Sequence, residues 1–218
     1  MREIIFDCET TGLSPSHGHR IVEVGAVEII NLEPTGAVFH AYVNPDCDVP
    51  ERAFRVHGLS TDFLLGQQRF AEIAPSLVEF IGDAPLVAHN VMFDATFLNA
   101  ELVTIDRPIF DRDRWTCSMA LARELHPGAS ASLDNVCHRF GIDLSRRTKH
   151  GALIDAQLLA LAYVKMRETE RRRKEARADE AGLESFVDEN CQPLTGLALA
   201  LARMTELRER QAKKASAQ

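Results

Sequence analysis

Apolar and polar positions fall into alternating runs early in the chain and into helical runs later. Glu3–Cys8 reads as a short strand that ends at a Thr-Thr-Gly turn. Arg20–Asn31 sets Ile21, Glu23, Gly25 and Val27 against Val22, Val24 and Ala26, a second strand. Gly36–Val43 is a third, and the short connection Leu32–Thr35 suits an antiparallel meander. Within Phe70–Ile81, Ile73, Leu77 and Phe80 recur at helical spacing. Leu86-Val87-Ala88 is a buried-type strand, and Ala95–Glu101 behind it is helical. Short helices are predicted near Ser118–Leu125 and Ser132–Phe140, with Ser132 capping the second ahead of Leu133. A last helix runs from about Gly151 to Met166, with Leu153, Gln157 or Leu158, and Leu161 inward. Three strands followed by alternating helices and strands predict an α/β fold with a mixed sheet flanked by helices.

The pattern changes after that helix. Lys165 to Glu180 is nearly all charge and alanine, including Arg171-Arg172-Arg173-Lys174. Beyond it, Leu194, Leu197, Leu201 and Met204 form an a/d stripe that Leu207 extends. The expected organisation is a domain over 1–166, a charged helix extension or linker over 167–193, and an amphipathic helix and tail over 194–218. No internal repeat is visible.

Composition narrows the class. The chain has 218 residues, Lys+Arg 25 against Asp+Glu 32, and a net charge of -7. Its 45% hydrophobic and 26% charged content is that of a globular protein. No apolar run approaches the roughly 18 residues of a membrane span. Ile4-Ile5-Phe6 is strand-like so soon after Met1 that no leader segment is expected. Cys8, Cys47, Cys117, Cys137 and Cys191 are scattered without a CxxC pair, which fits reduced thiols in the cytoplasm. Residues 165–218 hold 12 Lys or Arg and 10 Asp or Glu, leaving 13 against 22, or -9, on 1–164. That acidity, on its face, argues against a nucleic-acid partner.

The candidate chemistry pulls the other way. In Asp7-Cys8-Glu9 an extended backbone projects both carboxylates from one face at a strand end. Two such charges repel by about 4 kcal/mol at ~4 Å and an effective dielectric of about 20. A hard divalent cation removes that penalty; an exposed strand end with two solvated acids is the competing reading. His89-Asn90-Val91-Met92-Phe93-Asp94 runs from a strand into a helix start. Asp94 there either caps the helix or reaches a metal at the sheet edge. Phe93 is a core residue or a site-rim aromatic able to stack on a base. In Lys149-His150-Gly151-Ala152-Leu153-Ile154-Asp155, a five-residue separation puts His150 and Asp155 about 140° apart on a helix. His150 therefore belongs to the loop ahead of the helix and Asp155 to the helix itself, as a mobile base beside a fixed ligand would; a buried helix acid with a local partner is the competing reading of Asp155.

Taken together these stretches carry a resemblance. Phe6-Asp7-Cys8-Glu9-Thr10-Thr11-Gly12-Leu13, His89-Asn90-x-x-Phe93-Asp94 and His150-Gly151-Ala152-Leu153-x-Asp155-Ala156 resemble the three motifs of the DEDDh 3′–5′ exonucleases. Ile21–Glu28, Val56-His57-Gly58-Leu59 and Ser132-Leu133-Asp134 are similar, more closely, to the epsilon proofreading subunits of bacterial DNA polymerase III. The likeness covers about residues 1–165. It implies a ribonuclease-H-like fold, two Mg²⁺ or Mn²⁺ ions, and release of nucleoside 5′-monophosphates from a single-stranded or frayed DNA 3′ end. It puts Asp7, Glu9, Asp94 and Asp155 in the metal-ligand positions and His150 in the general-base position. Thr10, Leu13, His57 and Phe93 fall where relatives hold the terminal nucleotide.

Two positions depart from the family pattern. Cys8 stands where many relatives have Thr or another small residue but is expected on the opposite side of the strand. Arg52 lies in the stretch Val49-Pro50-Glu51-Arg52-Ala53-Phe54, where relatives commonly carry a Glu that can touch the terminal sugar. Arg146-Arg147-x-Lys149 is either a phosphate contact or a solvated loop. His17, His19, His40, His126 and His138 show no metal-pair spacing and read as surface or loop residues. The 194–212 stripe is expected to attach to the polymerase alpha subunit, with self-packing as the competing reading. Gln192-Pro-Leu-Thr matches a sliding-clamp motif poorly because its terminal aromatic is missing. The leading expectation is a proofreading exonuclease. A free-standing RNA-processing or DNA-repair exonuclease, and a non-catalytic nucleic-acid-binding module, are the alternatives. On the leading reading the acidity is the metal site itself, and a partner must supply the grip on DNA.

Overall fold

A computed structural model describes residues 1–145, 147–184 and 205–206 of the chain. It has two compact units, Met1–Arg167 and Glu168–Gln218. The first holds a five-stranded sheet in the order β3-β2-β1-β4-β5. The strands are β1 (Arg2–Thr10), β2 (Ile21–Ile30), β3 (Glu33–Tyr42), β4 (Leu86–Ala88) and β5 (Trp115–Cys117). The first three form the antiparallel meander, and β4 and β5 join β1 in parallel. The mixed sheet expected from the sequence is therefore the observed one. The β2–β3 turn is tighter than the sequence predicts. Asn31 and Leu32 both have positive φ, 52° and 67°, as a two-residue hairpin of the right twist requires. Leucine gives no signal for that conformation. The three-residue β5 and the short helices α1 (Glu51–His57) and α2 (Thr61–Leu65) also carry no clear periodicity.

Both faces of β1 are covered, so Ile4, Ile5 and Phe6 are fully buried although they are consecutive. On one face, Ile4, Phe6 and Cys8 pack with α3 (Phe70–Ile81) and α4 (Val91–Thr104), through Ile73, Leu77, Phe97 and Leu98. On the other, Ile5 meets α5 (Ser118–Leu125), α6 (Leu133–Arg139) and the start of α7 (Ala152–Glu184). Ser132 caps α6 by accepting from the Asn135 amide, as its position predicts. Two connections fasten α7 to the sheet. Tyr163 donates its hydroxyl to the buried Glu3 carboxylate at 2.8 Å. A Cβ on Gly25 would lie 2.3 Å from the Ala152 carbonyl carbon and the Leu153 nitrogen, so the first turn of α7 rests directly on β2.

The helix over 151–166 continues without interruption to Glu184. Beyond Arg167 it carries the i,i+4 pairs Glu170–Lys174 and Arg171–Glu175, which support the helix locally. The amphipathic stripe over 194–212 and the Gln192-Pro-Leu-Thr segment lie outside the described residues, apart from helical Thr205 and Glu206. Cys8, Cys47, Cys117 and Cys137 are free thiols. Among the described residues no helix is long and apolar enough to cross a membrane.

Candidate active site

β1 is longer than its hydrophobic run, because pairing with β2 continues through Glu9↔Glu23 before a register shift at Thr10. Asp7 and Glu9 thus leave the same face of one strand, half-buried. The parallel neighbour ends sooner: β4 pairs only with Ile4 and Ile5. Past Ile5, that edge of β1 has no strand beside it. The Cys8 amide there donates to Asp94 Oδ1 at 3.2 Å, and the Cys8 thiol lies 3.5 Å from the same oxygen. Asp94 sits in the first turn of α4, which begins at Val91 rather than near Ala95, and its N-cap is Asn90. The capping reading of Asp94 is therefore replaced: its carboxylate closes an open strand edge. Cys8 does face the other side of the strand, but it also touches the site.

Asp155 arrives from the opposite face of the sheet, in the first turn of α7. His150 precedes that helix, and its amide donates to the Val56 carbonyl at 3.3 Å. Ligand atoms of Glu9, His150 and Asp155 lie within 4.8 Å of one another. Asp7, Glu9, Asp94, Asp155, His150 and Phe93 all line one cleft of about 480 Å³. Beside it a second pocket, about 410 Å³, is lined by Thr10, Leu13, Arg52, His57 and again Glu9 and Phe93. Leu13 is 74% exposed at its rim, while His57 is buried at the end of α1. The buried His57 ring accepts at Nδ1 from the Leu59 amide at 3.0 Å, and burial lowers its pKa although the Thr10 backbone opposes this. Every residue expected in a metal-ligand, general-base or terminal-nucleotide position thus borders one of two adjoining cavities.

Residues 4–163 match the exonuclease family model. The chain belongs to the exonuclease family. This exonuclease is 46% identical over 169 residues to the DNA polymerase III subunit epsilon of Rickettsia conorii, covering 76% of this chain and 74% of that one. It is 45% identical over 172 residues to the same subunit of Escherichia coli, covering 76% and 71%. The fold is shared with the nuclease domain of 3′hExo, a DEDDh family member bound to rAMP, at TM-score 0.67 and 18% identity over 77% and 92%. It is also shared with exonuclease X in complex with 5′ overhanging duplex DNA, at TM-score 0.62 and 24% identity over 77% and 92%. The enzyme is a 3′–5′ exonuclease with a ribonuclease-H-like fold, and exonucleases of this kind depend on divalent metal.

The exonuclease's electrostatics test whether its acids suit such an ion. Burial, then the charges of Asp94 and Glu9, push the Asp7 carboxyl well above the ordinary range. Burial likewise takes Glu9 to about 8, although His150 opposes it, and Asp94 to about 7 against the donors of Cys8. Acids this unfavourable to ionise together need a cation, and an all-oxygen donor set suits a hard divalent one. Asp155 differs. Burial would raise it, but hydrogen bonds from His150 and Arg147 outweigh burial and lower its pKa.

Arg147 is the residue sequence reasoning did not place. Its guanidinium is buried against Asp155, reaches Asp134 through Nη1, and lies 2.8 Å from His150 Nδ1. No local signal separates it from a solvated basic loop. Lys149 lies over the Phe54 ring at 5.1 Å, and Arg146 lies outside the described residues. Two histidines read as peripheral also have specific contacts. His40 pairs with buried Glu23 at 2.8 Å, and His19 meets the Thr11 hydroxyl at 3.2 Å.

Proposed function

We propose that this exonuclease removes nucleotides from the 3′ end of DNA and proofreads for a bacterial replicative polymerase. The observation that carries this reading is the convergence of four carboxylates and His150 on one cleft beside a pocket of nucleotide size. Asp7, Glu9, Asp94 and Asp155 would hold two divalent ions, Mg²⁺ or Mn²⁺. When bound, the ions supply charge neutralisation and Lewis-acid polarisation at the scissile phosphate. His150 accepts the proton of the attacking water; its place on a loop ahead of α7 lets it approach the water without moving Asp155. The water oxygen bonds to phosphorus, the bond from phosphorus to the 3′ oxygen breaks, and that oxygen takes up a proton. The products are a nucleoside 5′-monophosphate and a strand one nucleotide shorter.

The second pocket would take the terminal nucleotide. Thr10 and His57 supply polar atoms, Phe93 a ring for stacking, and exposed Leu13 an apolar edge that separates the last base from its neighbour. The relatives' epsilon names support attachment to a polymerase III alpha subunit, in the cytoplasm, and the a/d stripe of Leu194, Leu197, Leu201 and Met204 makes 194–218 the segment that would attach. Residues 1–166 would be the nuclease domain and 167–193 the linker. Clamp contact through Gln192-Pro-Leu-Thr is a weaker element of the same reading. Hydrolysis of matched and mismatched 3′ ends, on DNA and RNA, with and without Mg²⁺, tests it. Metal-dependent release from DNA with preference for mismatched ends is expected. A preference for RNA, or activity in chelator, would overturn it.

A further inference from the structure

Arg147 stands where an arginine is least expected, inside the acid cleft. Its side chain is 9% exposed and that of Asp155 is 4%. Nε and Nη2 engage the two oxygens of Asp155 separately, the Nη2 bond measuring 2.6 Å, so both oxygens are occupied by one planar fork. Nη1 bonds Asp134 at the start of α6. His150 Nδ1 is 3.1 Å from Asp155 Oδ2 and 2.8 Å from Arg147 Nη2. The loop from 147 to 150 is therefore fastened to the acid site at both ends. Asp7 and Glu9 line the same cleft, and Arg147 is the one lysine or arginine among the described residues that line it with them.

We propose that Arg147 is a built-in counter-cation of the metal-free enzyme, and that a divalent ion reaches Asp155 only by displacing its guanidinium. This rests on the reading of Asp155 as a metal ligand. One charge is exchanged for another on the same two oxygens. The exchange frees His150 from Asp155 together with Arg147, so filling the site also releases the proton acceptor. Without an ion, Arg147 neutralises Asp155, ties it to Asp134 and keeps His150 latched.

Calorimetric titration of the full-length chain with Mn²⁺ tests this. Removing the competitor in Arg147→Met should tighten Mn²⁺ binding about tenfold, the scale of a bidentate charge-assisted pair. The same variant should melt lower than wild type in chelator and gain more on adding Mn²⁺. Equal or weaker Mn²⁺ binding in Arg147→Met would overturn the proposal. Should that variant fail to fold, the Arg147 Nε–H resonance of the wild type decides. It should move to the position of a solvent-exposed arginine as Mg²⁺ is added, and an unmoved resonance at saturation refutes displacement. Asp155→Asn separates the two readings: unchanged Mn²⁺ affinity there would mean that Asp155 is not a ligand, and both readings fall.

Discussion

At the residue scale the site works by holding like charges closer than water would allow. Glu9, at about 8, and Asp94, at about 7, both titrate far above their unfolded values. A carboxyl raised on folding stabilises the folded state below its unfolded pKa, and that contribution is lost as pH rises through the folded value. The metal-free protein should therefore melt progressively lower from about pH 5 to about pH 8. Asp94→Asn and Glu9→Gln should flatten this trend, and Mg²⁺ should raise the melting temperature more at the upper end. A melting temperature in chelator that is flat in wild type, or equally steep in both variants, would contradict the assignment. Asp7→Asn should likewise stabilise the metal-free fold while abolishing hydrolysis. His150 calls for a different experiment, because it is half in solvent and little of the fold depends on it. His150→Ala should lower kcat by roughly 10²–10⁴-fold while Mn²⁺ and DNA still bind; a turnover equal to wild type would remove it from the mechanism.

Elements decide which of these side chains meet. The period-two backbone of β1 makes Asp7 and Glu9 neighbours, and this was legible directly. The loop-then-helix placement of His150 and Asp155 was also legible, from helical geometry alone. What was not legible is the edge effect at β4. Because β4 stops at Ala88, the Cys8 amide lacks a strand partner and takes Asp94 instead. The seating of α7 on Gly25 is equally invisible locally, since glycine in a strand reads only as a weak position. Gly25→Ala should cost about 3 kcal/mol, the upper range for overpacking against backbone. It should reduce activity further than stability, because the turn it displaces carries Asp155. Urea unfolding with parallel 3′-end hydrolysis checks both, and an unchanged midpoint would place α7 elsewhere.

At the scale of the whole molecule, part of the acidity is gathered where the chemistry is. Residues 1–164 hold -9, and five of their carboxylates, Asp134 with the four candidate ligands, line one cleft. Such a surface should bind DNA weakly away from the site and need a partner to present the 3′ end. Deleting 185–218 should leave hydrolysis of a free 3′ end within about twofold, since Met1–Arg167 forms its own compact unit with its own core. The same deletion should abolish copurification with polymerase. Retained copurification would move the attachment surface into the nuclease unit, and lost hydrolysis would make the tail part of the enzyme. By itself, the sequence determined whatever depends on spacing within one element: the meander, the paired acids of β1, the cap of α6, and the order of His150 and Asp155. Tertiary structure alone decided contacts between elements distant in the chain: Asp94 on Cys8, α7 on Gly25, and Arg147 on Asp155. The division is physical, because backbone periodicity sets direction locally, whereas the partner a buried charge finds depends on which chain ends the packing brings together.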